Sequence, residues 1–257
     1  GIEELKPEMF TACVMHSDMR KTGDFHCSNE KVNRLQENIS WSLRDNFFDI
    51  PSDCPQRDER LGWTGDAQVF SWTAAFNRET ALFFTKWMRD VSAASSLEKG
   101  VPHIVPDIQG TYSSAVWSDA AVVIPWVVYQ TYGDERILEE NWKCMHEWVD
   151  YIHNHVNENG LWMSGYQYGD WLALDREMGD KSVGATDVYF VANASYIYVT
   201  DLVAKTARVL KKYGEAAYYE VLREETLKSF REEYYTSRGR IVSETQTACA
   251  LSLHFGL

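Results

Sequence analysis

Asp53-Cys54-Pro55-Gln56-Arg57-Asp58-Glu59-Arg60-Leu61-Gly62-Trp63-Thr64-Gly65-Asp66 gathers four carboxylates, two guanidinium groups, one Trp and two Gly into fourteen residues. Pro55 interrupts it and no single amphipathic face runs through it, so the stretch reads as an irregular, shaped loop. Its flanks read as helices. Before it, Ser28 or Asn29 caps a pattern in which Val32, Leu35, Ile39 and Leu43 recur every three or four residues. After it, a second helix is expected from near Asp66 to Phe76. Asn77 is then expected to cap a third, with Phe84, Trp87, Met88 and Val91 on one face.

The same alternation continues outward. A long loop with Gly100, Pro102, Pro106 and Gly110 leads to a fourth helix over about Trp117 to Tyr132. Gly133-Asp134 turns into a fifth, striped by Leu138, Trp142, Met145, Val149 and Ile152. A Gly- and aromatic-rich loop from Asn159 to Ala185 precedes a long sixth helix capped by Thr186 or Asp187. A seventh starts at Gly214, a hairpin-like piece covers Ser237 to Arg240, and an eighth begins near Thr245. Eight antiparallel helices joined by short turns and long loops in alternation predict an all-α, α/α fold. Loops beyond about 12 residues in a compact domain are more often functional than idle, so the active face is expected on their side.

Composition narrows the chemistry. A net charge of −13, with no basic cluster to reverse it, sets a repulsive field against phosphate backbones, so nucleic acid is not an expected partner. No apolar run approaches the roughly 20 residues that span a bilayer, so no membrane partner is expected either. Neither a G-x-G-x-x-G nor a phosphate loop occurs, which leaves nucleotide chemistry unsupported. Five Cys, odd in number and without Cys-x-x-Cys spacing, favour neither a disulfide framework nor a zinc site. A cytoplasmic, reducing compartment is the expectation, with a secreted or periplasmic full-length protein left open. The chain opens on Gly1 and closes on Gly256-Leu257 after a helical pattern, so both ends read as cut and residues 1–27 as a lead-in from a preceding domain. An incomplete helical domain would expose an apolar helix flank, which a homodimer or the missing segment would cover.

Cleaving a glycosidic bond takes one carboxylic acid to protonate the leaving oxygen and a second carboxylate across the ring. Crowded carboxylates beside aromatic surface hold a proton to higher pH, so a Glu in such surroundings can remain a proton donor near neutrality. Arg57 acts in the opposite direction unless Asp53 or a sugar engages it. The bland alternative is a solvated loop of Asp/Arg pairs, against which Trp63 is a poor choice among charged neighbours. His146-Glu147 lacks the second His of a zinc-protease pair, since Asp150 stands four residues on. No G-x-S-x-G occurs to support acyl transfer.

The 53–66 stretch resembles the signature of the bacterial α-L-rhamnosidase family of inverting glycoside hydrolases. Val101-Pro-His-Ile-Val-Pro-Asp107, Trp117-Ser-Asp-Ala-Ala121 with Pro125-Trp126, Gly169-Asp-Trp-Leu-Ala173 and the stretch from Glu244-Thr-Gln-Thr-Ala248 to Leu257 are similar too, in the family's order. The resemblance covers the chain from about residue 15. It implies a (α/α)6 helical toroid, of which residues 28–257 are the N-terminal two-thirds of the catalytic domain, truncated here to eight helices, with Glu59 as general acid and Asp53, Arg57, Trp63 and Asp66 in the sugar subsite. Trp117 and Trp171 would wall the deoxysugar. Asp119, Asp170 and His103 are further candidates, each with a structural role as the alternative. The partner implied is a rhamnose-containing glycoside, with no cofactor and no metal. The general base would be a Glu on a later loop outside these residues, since Glu244 lies in a different motif, and the chain alone is expected to hydrolyse poorly. A glycosidase for another sugar and a non-catalytic carbohydrate-binding fragment stand as alternatives.

Overall fold

The structure, a computed structural model, describes residues 4–110, 113–175 and 182–257. Eight α-helices carry the fold among these residues: α1 (Glu30–Asn46), α2 (Thr64–Asn77), α3 (Ala81–Ala94), α4 (Ala120–Tyr132), α5 (Arg136–His153), α6 (Val188–Val209), α7 (Tyr213–Tyr234) and α8 (Gln246–Phe255). The all-α expectation holds, and among the described residues the only sheet is a two-residue pairing of Phe47–Phe48 with Ile50–Pro51.

Caps set several boundaries as expected. The Asn29 side chain accepts from Lys31 N, Asp187 from Tyr189 N and Phe190 N, and Thr245 from Ala248 N. Gly133 closes α4 in the left-handed conformation, at φ 67°. Two boundaries depart from expectation. Asn77 does not cap α3: it ends α2 and its amide donates to Thr73 O. The chain runs extended through Arg78, and α3 starts after Thr80, whose N and Oγ1 both meet the Tyr132 hydroxyl. Helix α4 begins at Ala120 rather than Trp117, because residues 116–119 form a separate turn closed by Val116 N on Asp119 Oδ2 at 2.7 Å.

Helix α4 is apolar almost all round, with Ala120 to Pro125, Val127 and Val128 buried. A helix of that kind has to sit inside the layers, and α2, α3, α5 and α6 surround it. Phe84, Trp87, Met88, Ile124, Met145, Trp148 and Tyr196 fill the main core. A smaller core of Leu161, Phe190, Ile197, Leu227, Phe230, Tyr234 and Ala248 joins α6, α7 and α8.

Helix α1 departs from its stripe. Only Leu43 is buried, while Val32, Leu35 and Trp41 are exposed, as are Val69, Trp72 and Phe76 on α2. Residues 4–27 are extended apart from a 3-10 turn at Pro7–Met9. They dock only from Ser17 onward, through Ser17 N to Phe47 O and Arg78 to Met19 O. No helix among the described residues is long and apolar enough to cross a membrane.

Candidate active site

The 53–63 loop is a built structure. Asp53 closes it, with its N donating to Leu61 O at 3.0 Å and its Oδ1 accepting from Leu61 N at 2.8 Å. Two non-glycine residues inside it, Cys54 and Arg60, have left-handed φ of 35° and 56°. Strain of this kind persists only where surrounding contacts over-determine it, and it clusters at functional sites. The far end is pinned to the 101–107 loop. Val105 N donates to Gly62 O, and Thr64 N, an unpaired donor of the first turn of α2, donates to His103 O at 2.8 Å. Gly62 is required there, since a Cβ would lie 2.1 Å from Val105 O.

Glu59 is held from three sides. Trp63 Nε1 donates to Oε1 at 3.0 Å, Arg57 donates to Oε2 at 2.7 Å, and its carboxyl shares a hydrogen bond with Asp53. The side chain keeps 28% of its surface open. The proton distribution differs from the sequence expectation. The Asp53 hydrogen bond, with help from Arg57 and Trp63, holds Glu59 below the usual carboxylate range, while burial and the Glu59 contact push Asp53 up. Crowding therefore raises the proton affinity of the pair on Asp53. The Asp53 hydrogen bond is the main cause, and Arg57, which pairs with Glu59 rather than with Asp53, acts in the same direction. Partial burial and the adjacent Asp53 raise the Cys54 thiol, the reverse of what a nucleophile needs. Among the described residues, Asp53, Cys54 and Glu59 bring donor atoms within 4.8 Å of one another, but the Asp53 and Glu59 oxygens already accept the hydrogen bonds just given.

Asp53 and Asp66 face a common cavity of about 370 Å³ between α1 and α2, walled by Phe47, Cys54 and Phe70. Asp66 opens to solvent there. The protein packed around it, with the charges of Asp53 and Glu59, pushes its carboxyl up. Trp63 faces a second cavity of about 370 Å³ with His103, Asp107, Tyr166 and Tyr168. Glu59 itself lines neither cavity, but it accepts from Trp63, which faces the second, and lies beside Asp53, which faces the first.

Trp117 and Trp171 meet in one aromatic cluster, at right angles with centroids 6.4 Å apart. Trp117 is buried, stacked on Tyr168 at 3.9 Å, and lies so close to α2 that a Cβ on Gly65 would fall 2.6 Å from its ring. Trp171 is more open and meets Tyr168 edge-on. Tyr168 had not been singled out from sequence, although it lies three residues before Trp171 in an aromatic run bounded by Gly165 and Gly169.

The remaining candidates separate. Asp119 is fully buried beneath the cluster, accepting from Val116 N, from Trp148 Nε1 at 2.8 Å and from Ser195 Oγ, and burial pushes its carboxyl up. It is a structural partner. Asp170 accepts from Thr186 Oγ1 at 3.4 Å, and its backbone carbonyl takes Gly184 N. His103 is mostly buried, which lowers its pKa to about 4 and leaves the ring neutral, with Nε2 against Ser114 Oγ at 2.8 Å and Nδ1 near the Tyr168 hydroxyl at 3.4 Å.

Residues 20–257 match the family described as the bacterial alpha-L-rhamnosidase 6 hairpin glycosidase domain. An alpha-L-rhamnosidase of Formosa agariphila is 41% identical over 248 residues, covering 95% of this chain and 26% of the relative. One of Streptomyces avermitilis is 36% identical, covering 96% of this chain and 23% of its own length. Among solved structures, the native rhamnosidase of Aspergillus terreus superposes with a TM-score of 0.88 at 41% identity, over 94% of this chain and 28% of its own. The Streptomyces avermitilis enzyme complexed with L-rhamnose superposes with a TM-score of 0.84 at 35% identity, over 94% and 22%. The chain therefore spans about a quarter of the length of the relatives it matches.

Proposed function

The chain belongs to the bacterial α-L-rhamnosidase six-hairpin glycosidase family, and from that premise we propose that it carries the acid half of a terminal α-L-rhamnoside hydrolase. The observation that carries this reading is the Asp53–Glu59–Trp63 arrangement: a carboxyl held by an indole N–H and a second carboxyl, in a strained loop. Glu59 is the proton donor to the leaving oxygen. At rest its proton is disfavoured by the hydrogen bond to Asp53, with Arg57 assisting. A sugar hydroxyl that engages the guanidinium relaxes this ion pair, and Glu59 then takes up the proton that the pair otherwise keeps on Asp53.

Asp53 and Asp66 bind sugar hydroxyls, Arg57 contributes its N–H groups, and Trp63, Trp117 and Trp171 provide aromatic surface for the sugar. The second carboxylate, which activates water on the opposite face in an inverting reaction, comes from outside these 257 residues. No cofactor or metal enters this scheme.

The test is a panel of aryl glycosides, with the anomer of the first-released sugar read by NMR. Cleavage confined to α-L-rhamnosides with the β anomer appearing first is the expected result. The α anomer would remove the inverting mechanism, cleavage of other glycosides would change the sugar, and rhamnose binding without turnover by the full-length protein would leave a carbohydrate-binding role.

A further inference from the structure

We propose that Arg44 and Arg78, where the lead-in segment crosses the link between α2 and α3, form a binding site for a small monovalent anion of the halide class. Neither residue takes part in the proposed reaction.

Arg78 lies on that link and is only 6% exposed. Its Nη1 donates to Met19 O at 3.0 Å, within a seam in which Thr22 N and Gly23 N donate to Asn77 O and Glu79 N donates to Arg20 O. Its Nη2 is closed off from solvent and meets no acceptor. Arg44, in the last turn of α1, repeats the pattern. Its guanidinium lies over the Trp41 ring at 4.9 Å, yet its Nε is also closed off and unmet. The two cations are near enough that Arg44, after burial itself, lowers the proton affinity of Arg78.

A guanidinium keeps its proton throughout the ordinary pH range, so two such neighbours cannot relieve their repulsion by losing charge. A buried charge needs a counter-charge, and the carboxylates of the adjoining segments are engaged elsewhere: Glu79 with Arg20, Asp24 with Lys21 and Asp49 with Lys86. Among the described residues no carboxylate forms an ion pair with Arg44 or Arg78, the exposed Asp18 and Asp45 included. The Met19 carbonyl and the Trp41 face are neutral and cancel neither charge. Two unmet N–H groups on two side chains, both shut away from solvent, suit one compact acceptor. A phosphate or a sugar acid is too bulky for donors covered in this way.

The test is the melting temperature of the full-length protein as chloride replaces gluconate at fixed ionic strength, joined to crystals soaked in sodium bromide. Chloride is expected to raise the melting temperature saturably by about 2–4 °C. Arg78→Met and the more accessible Arg44→Gln should each abolish the chloride response, while Arg20→Gln, an exposed change on the same seam, should keep it. Should Arg78→Met not fold, Arg44→Gln decides alone. Bromide should give an anomalous peak in contact with Arg78 Nη2 and Arg44 Nε. A chloride response that survives in Arg44→Gln, or no saturable response in the parent, would overturn the site. So would a water or a protein carboxylate found between the two donors, and a bromide peak without the chloride response would mean binding at crystal concentration only.

Discussion

Glu59 and Asp119 are both carboxylates in motif segments, and the structure uses them in opposite ways. Glu59 lies in a solvated loop among charges and is held below the usual range by its hydrogen bond to Asp53, with Arg57 assisting. Asp119 is buried, with three donors and a carboxyl pushed up by burial. The proton donor proposed at Glu59 needs partners that can be exchanged, whereas Asp119, which holds Val116 at a left-handed φ of 69° beside Trp117, needs partners that cannot.

The sharpest way to break this contrast is to neutralise each carboxylate. Glu59→Gln in the full-length protein should lower kcat on alkyl rhamnosides, the proposed substrates, by about 10²–10⁴-fold, with an unchanged melting temperature. Asp119→Ala should instead lower the unfolding free energy by about 3 kcal/mol in denaturant titrations, since Trp148 Nε1 and Val116 N lose their acceptor. If Asp119→Ala is as stable as the parent, the contrast fails.

Gly65→Ala probes the aromatic side. A methyl group 2.6 Å from the Trp117 ring must displace it, costing about 1–3 kcal/mol of stability by the usual penalty of overpacking, and near-UV circular dichroism should report the shifted indole.

Two changes sharpen the electrostatics. Arg57→Gln removes a cation that favours the ionised form of Glu59, so the alkaline limb of kcat/KM should move to higher pH even as overall activity falls. Asp66, pushed above its ordinary value, contributes stability that is full below the ordinary aspartate range near ~3.9 and is lost as pH rises through its raised value. Asp66→Asn should flatten that decline in a series of pH-dependent unfolding curves, the smallest of these effects.

Helix patterns and caps were legible wherever the decisive partners are neighbours in sequence, as at Asn29, Asp187 and Thr245. Boundaries set by distant partners were not. Thr80, which Tyr132 anchors from 52 residues away, starts α3 in place of Asn77. The stripe on α1 was periodic, yet Val32 and Leu35 stay exposed because periodicity shows which face is apolar and not what covers it. In the site, the residue types of the 53–66 loop were readable, but which side chains meet Glu59 is decided by the loop's conformation, and the hydrogen bond to Asp53, assisted by Arg57, reverses the expected direction for Glu59. Tyr168 escaped notice because its importance comes from the ring of Trp117, 51 positions earlier, against which it stacks.

The division of the interior into two clusters also has a kinetic side. Helices α7 and α8 are fastened to α6 chiefly by the lesser cluster around Phe190 and Phe230. Amide protons from about Leu222 onward should therefore trade for deuterium through a partial opening, well before those of α4, whose release requires the entire molecule to come apart.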